Sequence, residues 1–339
     1  MRKIIAFFTA AVLAVFMIPT SIPAISSLFS RDDTQTADEN TGAITAGSFD
    51  KPFTVSVYRC DLNTVESYDF EEYITGVLAG EMPPTYNIEA LSAQAVAARS
   101  YILSKAEAYF NGQIPEEHHG AMICTNPSHC KAWRDLAAAK SSWDVRYAAD
   151  YENKIRSAVK RTEGEYMTYK GEVVKAYFYA MSGGRTENVE DVWGTALPYL
   201  RSVDSREDAM SDGFESLSTF DLSSLCSRLK AARQDFSMSD ASDFEARPER
   251  TAGGSVVKIR IGNTEFKGSE LREILGLKSA NFTVTSDKDK ITFKVKGYGH
   301  GVGMSQNGAN VLAERGMKYR EILTHYYTDV NIVNLYKKL

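Results

Sequence analysis

The sequence has 339 residues, enough for one large domain or two smaller ones with a sizeable core. Its 39 basic and 44 acidic residues give a formal net charge of -5, which argues against a nucleic-acid partner. Apart from an apolar N-terminus, the composition is that of an ordinary soluble protein.

The first 25 residues predict a membrane anchor. Arg2 and Lys3 precede an apolar run, Ile4–Ile18, that extends loosely to Ile25 and is then long enough to cross about 30 Å of hydrocarbon. A cleaved signal peptide is the alternative. Because no clean cleavage site follows, we expect an uncleaved single-pass anchor with a cytoplasmic N-terminus and an extracytoplasmic body. The polar residues 26–50 predict a flexible linker.

Two predicted helices flank a short break that carries Glu81. Asp69 precedes the apolar spacing of the first helix, and with Glu72 three residues later it is typical of a capping box. We expect Gly80 to end this helix in a left-handed conformation. The second helix is expected to begin with Asn87 as its N-cap.

The corner at Glu81 suits a general acid. A carboxyl group among apolar neighbours has a raised pKa, because its ionised form is poorly solvated. The alternative is a solvated glutamate that compensates the charge of a helix end. Spacing alone leaves both interpretations open.

Four potential metal ligands follow the second helix. His118, Cys124, His129 and Cys130 lie within 13 residues of a chain that has only five histidines and four cysteines. Two thiolates and two imidazoles complete a tetrahedral zinc site, which is structural because no position stays open. The alternative is a disulfide between Cys124 and Cys130, which suits a location outside the cytoplasm but leaves both histidines unexplained. His119 is expected to lie in solvent.

The remaining patterns predict an α+β fold with helices and mainly antiparallel strands. Tyr166–Tyr169 and Val173–Met181 are expected to form a hairpin, and Ser218–Arg233 a helix. We expect a catalytic body and a smaller elaboration around a groove. The predicted segments are the anchor 1–25, the linker 26–50, the catalytic core 51–205, the elaboration 206–290 and a Gly-rich C-terminal segment 291–339.

Four alternating glycines, at 297, 299, 301 and 303, mark the C-terminal segment. They lack the spacing of a dinucleotide fingerprint, so we expect them to let the backbone pass close to a neighbour or to a bound ligand before Ser305 caps the next helix. His300, among them, is a candidate to orient Glu81 or a substrate hydroxyl. The alternative is a structural histidine bonded to the loop backbone.

Three blocks of sequence occur in the order of a known family. They are GVLAGEMP with EALSAQAVAARSYI, within 76–102, KAYFYAMSGGRTENVEDVWG at 175–194, and GYGHGVGMSQNGANVLAERGMKYREILTHYY at 297–327. Together they resemble the stage II sporulation protein D family of membrane-anchored lytic transglycosylases, over roughly residues 55–333. The resemblance implies that Glu81 is the catalytic acid. It also implies cleavage between N-acetylmuramic acid and N-acetylglucosamine to a 1,6-anhydro product, with no catalytic cofactor.

The resemblance further implies a glycan groove. Its candidate substrate-binding residues are Gln94, Arg99, Tyr101, Tyr177, Tyr179, Ser182, His300, Ser305 and Gln306. Without the resemblance, Gln94, Arg99 and Tyr101 would be interpreted as ordinary exposed positions of the second helix. Tyr177 and Tyr179 would be interpreted as packed core. The structural zinc site is not a general part of the family motif, so the likeness neither requires nor excludes Zn²⁺.

The family also indicates a location and partners. It implies that the protein lies in the mother-cell membrane and faces the intermembrane space. It also implies denuded glycan strands as the substrate, and a sporulation cell-wall amidase and membrane proteins as partners. The alternative function is a non-catalytic glycan-binding scaffold that recruits or activates such an amidase.

Overall fold

Helices and short sheets alternate along the chain in a computed structural model, which describes residues 43–244 and 247–337. The helices are α1 Phe70–Glu81, α2 Ile88–Phe110, α3 Leu136–Ser141, α4 Ala148–Arg161, α5 Val189–Trp193, α6 Leu222–Ala232, α7 Gly268–Leu275, α8 Gln306–Glu314 and α9 Tyr319–Tyr326. The strands are β1 Thr54–Arg59, β2 Thr64–Asp69, β3 Ile123–Cys124, β4 Glu165–Tyr169, β5 Glu172–Val173, β6 Phe178–Tyr179, β7 Glu215–Asp221, β8 Glu249–Arg250, β9 Val256–Ile261, β10 Thr264–Lys267, β11 Phe282–Asp287, β12 Lys290–Lys296, β13 Met304–Ser305 and β14 Asn331–Asn334. The predicted α+β class is confirmed.

The strands pair in small sheets, ordered β2-β1-β3, β14-β4-β5, β13-β6, β11-β12-β7 and β10-β9-β8. Pairing is mainly antiparallel, as predicted, with β1–β3 and β6–β13 parallel. One hydrophobic cluster surrounds α1 and α2. A second cluster, with Phe266, Phe282 and Phe293, fills the space between the last two sheets and the helices α6 and α7. The second cluster lies mostly within the predicted elaboration 206–290, but strand β12 with Phe293 extends it beyond that boundary.

The two helices around Glu81 begin where their caps predict. The Asp69 carboxylate accepts hydrogen bonds from the backbone N–H groups of Glu71 and Glu72, and Asn87 caps α2 in the same way. The Glu72 side chain pairs with Arg156 instead of completing a capping box. Local side-chain chemistry therefore sets both helix starts.

The predicted left-handed stop at Gly80 is wrong. Helix α1 continues through Gly80 to Glu81, and the backbone becomes extended at Met82. Glycine is needed for a different reason, because a Cβ at position 80 would stand 3.0 Å from the carbonyl carbon of Ala132. This close approach brings the segment around Ala132 against the end of α1.

Arg99, a predicted substrate contact, is fully buried instead. Its guanidinium group forms a bidentate ion pair with Glu71, with the shortest N···O distance 2.6 Å, and also donates to Thr162 and to the Val159 carbonyl. A buried guanidinium requires such complete pairing. Arg99 therefore ties α1, α2 and α4 together, and we leave it out of the proposed groove.

Replacing Arg99 with methionine should lower the free energy of unfolding by about 3–5 kcal/mol, because the Glu71 carboxylate would lose its cation in a largely buried site. Arg156→Met is the matched control: its exposed pair with Glu72 should be worth at most about 1 kcal/mol. Urea unfolding followed by circular dichroism measures both. Equal losses in the two variants would contradict this role of Arg99.

The predicted hairpin is only partly correct. Strands β4 and β5 pair across a turn at Lys170 and Gly171, which both have positive φ. However, β5 ends at Val173, and the chain forms the separate strand β6, which pairs with β13. The predicted strand Val173–Met181 is therefore divided, because its second half finds its partner in the C-terminal segment.

The alternating glycines behave as the sequence predicts. All four have positive φ, and at Gly303 a Cβ would come within 2.0 Å of the Tyr177 carbonyl oxygen. The same segment runs alongside the backbone of Met181 and the side chain of Tyr179. Glycine here permits direct contact between the C-terminal segment and the 175–194 block.

The predicted helix Ser218–Arg233 is wrong in its first four residues. These lie in strand β7, and α6 begins only at Leu222. Alternate β7 residues face solvent, and all seven pair with β12. Tertiary pairing therefore overrides the helical pattern at this point.

The predicted anchor Ile4–Ile25 lies outside the described residues, as does most of the predicted linker. Residues 43–50, assigned to the linker from sequence, pack on the body, with Ile44 and Phe49 buried. The folded part therefore begins earlier than predicted. Among the residues that the structure describes, no helix combines the length and apolar character needed to cross a membrane.

Candidate active site and metal cluster

Glu81 is the last residue of α1, and two other parts of the chain hold its carboxyl group. One oxygen accepts a hydrogen bond from the backbone N–H of Ala132 at 2.8 Å. The other accepts one from the Nε2 atom of Gln306, the first residue of α8, at 3.4 Å. The side chain is half-buried. The expected apolar surroundings are therefore partly polar, and these two donors fix the orientation of the carboxyl group.

Gln306 is positioned by a buried polar network at the start of α8. The Ser305 hydroxyl caps the helix by accepting from Gly308 and donates to the Asp208 carboxylate at 2.8 Å. Burial raises the pKa of Asp208, which also accepts from Asn307. The network holds the start of α8 beside Glu81.

Ser182 and Ser305, both predicted substrate contacts, are fully buried. The backbone N–H of Ser182 donates to the Ser305 hydroxyl at 3.3 Å, and the Ser182 hydroxyl accepts from Gly184. Both side chains are covered by the protein. The structure therefore places them beneath the site, where they hold the two backbone segments together.

An aromatic surface lies near Glu81. Tyr177 stands at its centre, with ring centroids 5.8 Å from Tyr101, 4.6 Å from Trp193 and 6.4 Å from His300. Tyr179 packs under the His300 ring and is buried. The structure thus brings four predicted site residues together. It adds Trp193, which is 46% exposed and which sequence reasoning missed although it lies in the 175–194 block.

His300 is bound to its own loop. Its Nδ1 atom accepts from the Val302 N–H at 3.1 Å, and no hydrogen bond joins it to Glu81 within the described chain. Burial lowers the pKa of His300 to about 3, and the positive charges of Lys131 and Arg272 act in the same direction. His300 is therefore neutral near pH 7. The structural alternative describes its contacts best.

Lys131 is a second residue that sequence reasoning missed. Its side chain is buried, and the ammonium group stands 3.8 Å from the Phe178 ring centroid and 4.5 Å from that of Tyr101. Burial lowers its pKa to about 8, while the Glu81 carboxylate favours the charged form. No local signal identifies it, because its position depends on packing between distant segments.

Gln94 and Tyr101, both predicted substrate contacts on α2, are also buried. The Tyr101 hydroxyl donates to the His129 carbonyl at 3.4 Å, and its ring belongs to the aromatic surface. Gln94 is fully buried, and neither of its amide atoms has a hydrogen-bond partner within residues 43–244 and 247–337. The structure therefore brings Tyr101 to the site and leaves Gln94 in the helical core.

The four predicted metal ligands converge. One donor atom from each of His118, Cys124, His129 and Cys130 lies within 4.8 Å of all the others. His118 Nε2 is 3.2 Å from Cys130 Sγ, and His129 Nδ1 is 3.4 Å from Cys124 Sγ. Tetrahedral zinc ligands stand roughly 3.5 Å apart, so these spacings suit the ion.

The chemistry of the cluster also fits zinc. Both cysteines are free thiols, and the pair is buried. Burial lowers the pKa of His118 to about 4, which keeps the imidazole neutral, the form that binds a metal. Burial raises the pKa of the Cys124 thiol, an effect that a cation would reverse. His119 lies exposed beside Tyr58, as predicted.

One short segment joins the cluster to Glu81. Cys130 belongs to the cluster, Lys131 points into the aromatic surface, and the Ala132 N–H donates to Glu81. Because the three residues are consecutive, displacing Cys130 would move the two that follow it. The cluster therefore braces a donor and a positive charge next to the carboxyl group.

Comparison with known proteins identifies related sequences. A family model described as Stage II sporulation protein matches residues 58–169, which include Glu81 and the cluster. The chain is 36% identical to stage II sporulation protein D of Bacillus amyloliquefaciens over 84% of this chain and 79% of that protein. It is 34% identical to the protein of the same name from Bacillus subtilis (strain 168), over 83% and 79%. An amidase enhancer of Bacillus subtilis is 27% identical, over 77% of this chain and 40% of that protein.

Proposed function

The chain belongs to the stage II sporulation protein D family, and from that premise we propose that it is a peptidoglycan lytic transglycosylase with Glu81 as general acid. The names of its relatives indicate a role in sporulation. The observation that carries the proposal is the Glu81 carboxyl group, held by Ala132 and Gln306 beside an aromatic and cationic surface.

The proposed reaction needs one acid from the protein. Glu81 delivers its proton to the glycosidic oxygen between N-acetylmuramic acid and N-acetylglucosamine, and the bond from that oxygen to the muramic C1 breaks. The C6 hydroxyl of the same muramic acid then bonds to C1 and gives its proton to the Glu81 carboxylate, which closes the 1,6-anhydro ring and restores the acid. Because the substrate supplies the nucleophile, the reaction lies outside the two-carboxylate scheme of most glycosidases.

The surroundings of Glu81 support this chemistry. Tyr177 and Trp193 offer aromatic faces of the kind that pack against the apolar faces of sugar rings. Lys131 supplies a positive charge within range of Glu81, where it stabilises the carboxylate after proton transfer. His118, Cys124, His129 and Cys130 would hold a structural zinc ion, and the residues that follow them contact Glu81.

We propose that the protein acts at the membrane surface, held by Ile4–Ile25. If this anchor is uncleaved, the full-length chain should remain in the membrane fraction after a high-salt wash and retain its original N-terminus. Peptide sequencing of the membrane fraction makes the measurement. A processed N-terminus near Ala24 would contradict the anchor, while leaving the Glu81 chemistry unaffected.

A cell-wall amidase is the proposed partner, since it would remove stem peptides before strand cleavage. The similarity to an amidase enhancer favours a second candidate, a glycan-binding scaffold with no turnover of its own that activates an amidase. Incubation of denuded glycan strands with the purified full-length chain distinguishes them. Release of shorter, soluble glycan fragments in the absence of any amidase supports the lytic transglycosylase. Intact strands, together with stimulation of an added amidase, would support the scaffold.

A further inference from the structure

A long groove continues from the aromatic surface into the second half of the chain. It has a volume of about 790 Å³ and lies between α5 on one side and α7 with the β9–β10 hairpin on the other. We call it the α5–α7 groove. Its lining includes Trp193, His300, Arg272, Lys258, Glu265 and Glu270. Neither Glu81 nor the metal cluster lines it, so it is a separate surface that shares an aromatic end with the site.

The aromatic end of the α5–α7 groove is formed by Trp193. Its ring is held between Tyr177 and His300, at centroid distances of 4.6 and 5.0 Å, yet 46% of the residue is exposed. Large exposed aromatic side chains on rigid supports mark binding surfaces. Tyr177 contacts both Trp193 and the Tyr101 ring beside Lys131, so the surface runs from the groove towards Glu81.

Most charges of the groove are already paired. Arg233 pairs with Glu270 at 2.8 Å, and Lys258 with Glu265 at 3.7 Å. Lys267 is exposed on the rim, where water solvates its charge. The lining also includes Glu190, which pairs with Arg201, and the acidic residues Asp191 and Glu273, so binding of an anion here depends on a specific cation and not on the net charge of the groove.

Arg272 differs from these cations. It is half-buried, and its side chain forms neither an ion pair nor a hydrogen bond within the described ranges 43–244 and 247–337. Burial lowers the pKa of Arg272, while electrostatic interactions with Tyr298 and the neighbouring Glu273 raise it. The positive charge of Arg272 in turn lowers the pKa of His300. A partly desolvated guanidinium without a partner is suited to bind an anionic group, above all a carboxylate.

We propose that the α5–α7 groove binds the glycan strand beside the cleaved bond, with a sugar ring packed on Trp193 and Arg272 paired with a carboxylate carried by a muramic acid residue. The inference rests on the proposed substrate and adds a specificity-determining residue to it. The carboxylate has two possible sources, the free lactyl group of a denuded strand or the stem peptide of an intact one.

The test measures binding by calorimetry with the full-length chain carrying Glu81→Gln, so that strands are not consumed. Three ligands of equal length are compared: a denuded tetrasaccharide of alternating N-acetylglucosamine and N-acetylmuramic acid, the same tetrasaccharide with stem peptides, and chitotetraose, which has no carboxylate. Arg272→Gln should weaken binding of a muramic-acid ligand about tenfold or more, and of chitotetraose less than about twofold. Trp193→Ala should weaken all three.

Two further variants guard against misfolding and general charge effects. Lys230→Gln removes an exposed cation of helix α6 that does not line the α5–α7 groove, and it should leave all three affinities unchanged. Arg272→Lys keeps the charge without the planar fork and should retain part of the preference. A loss confined to the denuded ligand identifies the lactyl carboxylate, whereas a loss confined to the peptide-bearing ligand identifies the stem.

Equal affinities with and without Arg272 would overturn the inference, as would an equal loss for chitotetraose. These outcomes are separable from failure of the proposed function. If the wild-type chain cleaves strands but Arg272→Gln binds them as tightly as before, only this inference is contradicted. If Arg272→Gln weakens binding but the wild-type chain does not cleave strands, only the proposed catalytic function is contradicted.

Discussion

Glu81→Gln should abolish strand cleavage while leaving the fold and glycan binding intact. The glutamine oxygen can still accept from the Ala132 N–H, and Gln306 can turn its amide to present an oxygen to the new NH₂ group. What is lost is the transferable proton, whose contribution is typically about 10²–10⁴-fold in rate. Turnover of denuded strands by wild type and variant, with circular dichroism of both, measures the effect.

The matched control is Glu72→Gln on the same helix. Its exposed carboxylate pairs with Arg156 on the protein surface and has no contact with the aromatic surface. This variant should keep full activity. Undiminished turnover in Glu81→Gln would remove the residue on which the mechanism depends, whereas loss of its folded spectrum would show that Glu81 serves the fold instead.

Cys124→Ser should reduce both metal content and thermal stability. The binding free energy of a structural zinc ion is folding free energy, on the order of 10 kcal/mol in small zinc domains, so loss of one thiolate affects both quantities together. We expect about one zinc ion per wild-type chain by elemental analysis. We also expect lower activity in the variant, because Cys130, Lys131 and Ala132 are consecutive and Ala132 donates to Glu81.

Cys60→Ser is the control for the metal prediction, since that thiol is exposed and outside the cluster. Metal content and the unfolding temperature should not change in this variant. A wild-type protein without zinc, whose peptide map contains a Cys124–Cys130 bridge, would instead support the disulfide.

Local chemistry made part of the fold predictable. Asp69 and Asn87 set helix starts through bonds to neighbouring backbone groups, so nearby sequence suffices to recognise them. The alternating glycines and the spacing of the histidines and cysteines can likewise be recognised from the sequence itself. In each case the partner lies close along the chain, or the residue type allows few alternatives.

Tertiary packing determines the positions of the residues whose roles the sequence did not reveal. Arg99 carries a charge that by itself suggests an exposed position on α2, but it is buried by Glu71 and by α4, which lies far along the chain. Lys131 and Trp193 gain significance only where the 130–133 segment, the 175–194 block and the C-terminal glycines meet. Long-range contacts of this kind leave no periodic or compositional signal.

Mass spectrometry of the new glycan ends distinguishes transglycosylation by Glu81 from hydrolysis. Purified denuded strands are digested with the full-length wild-type chain, and the ends of the fragments are identified. Internal attack by the C6 hydroxyl predicts 1,6-anhydro muramic ends, lighter by one water molecule than the products of hydrolysis. Reducing muramic ends would contradict this mechanism, because they form only when water takes the place of the C6 hydroxyl as the nucleophile at C1.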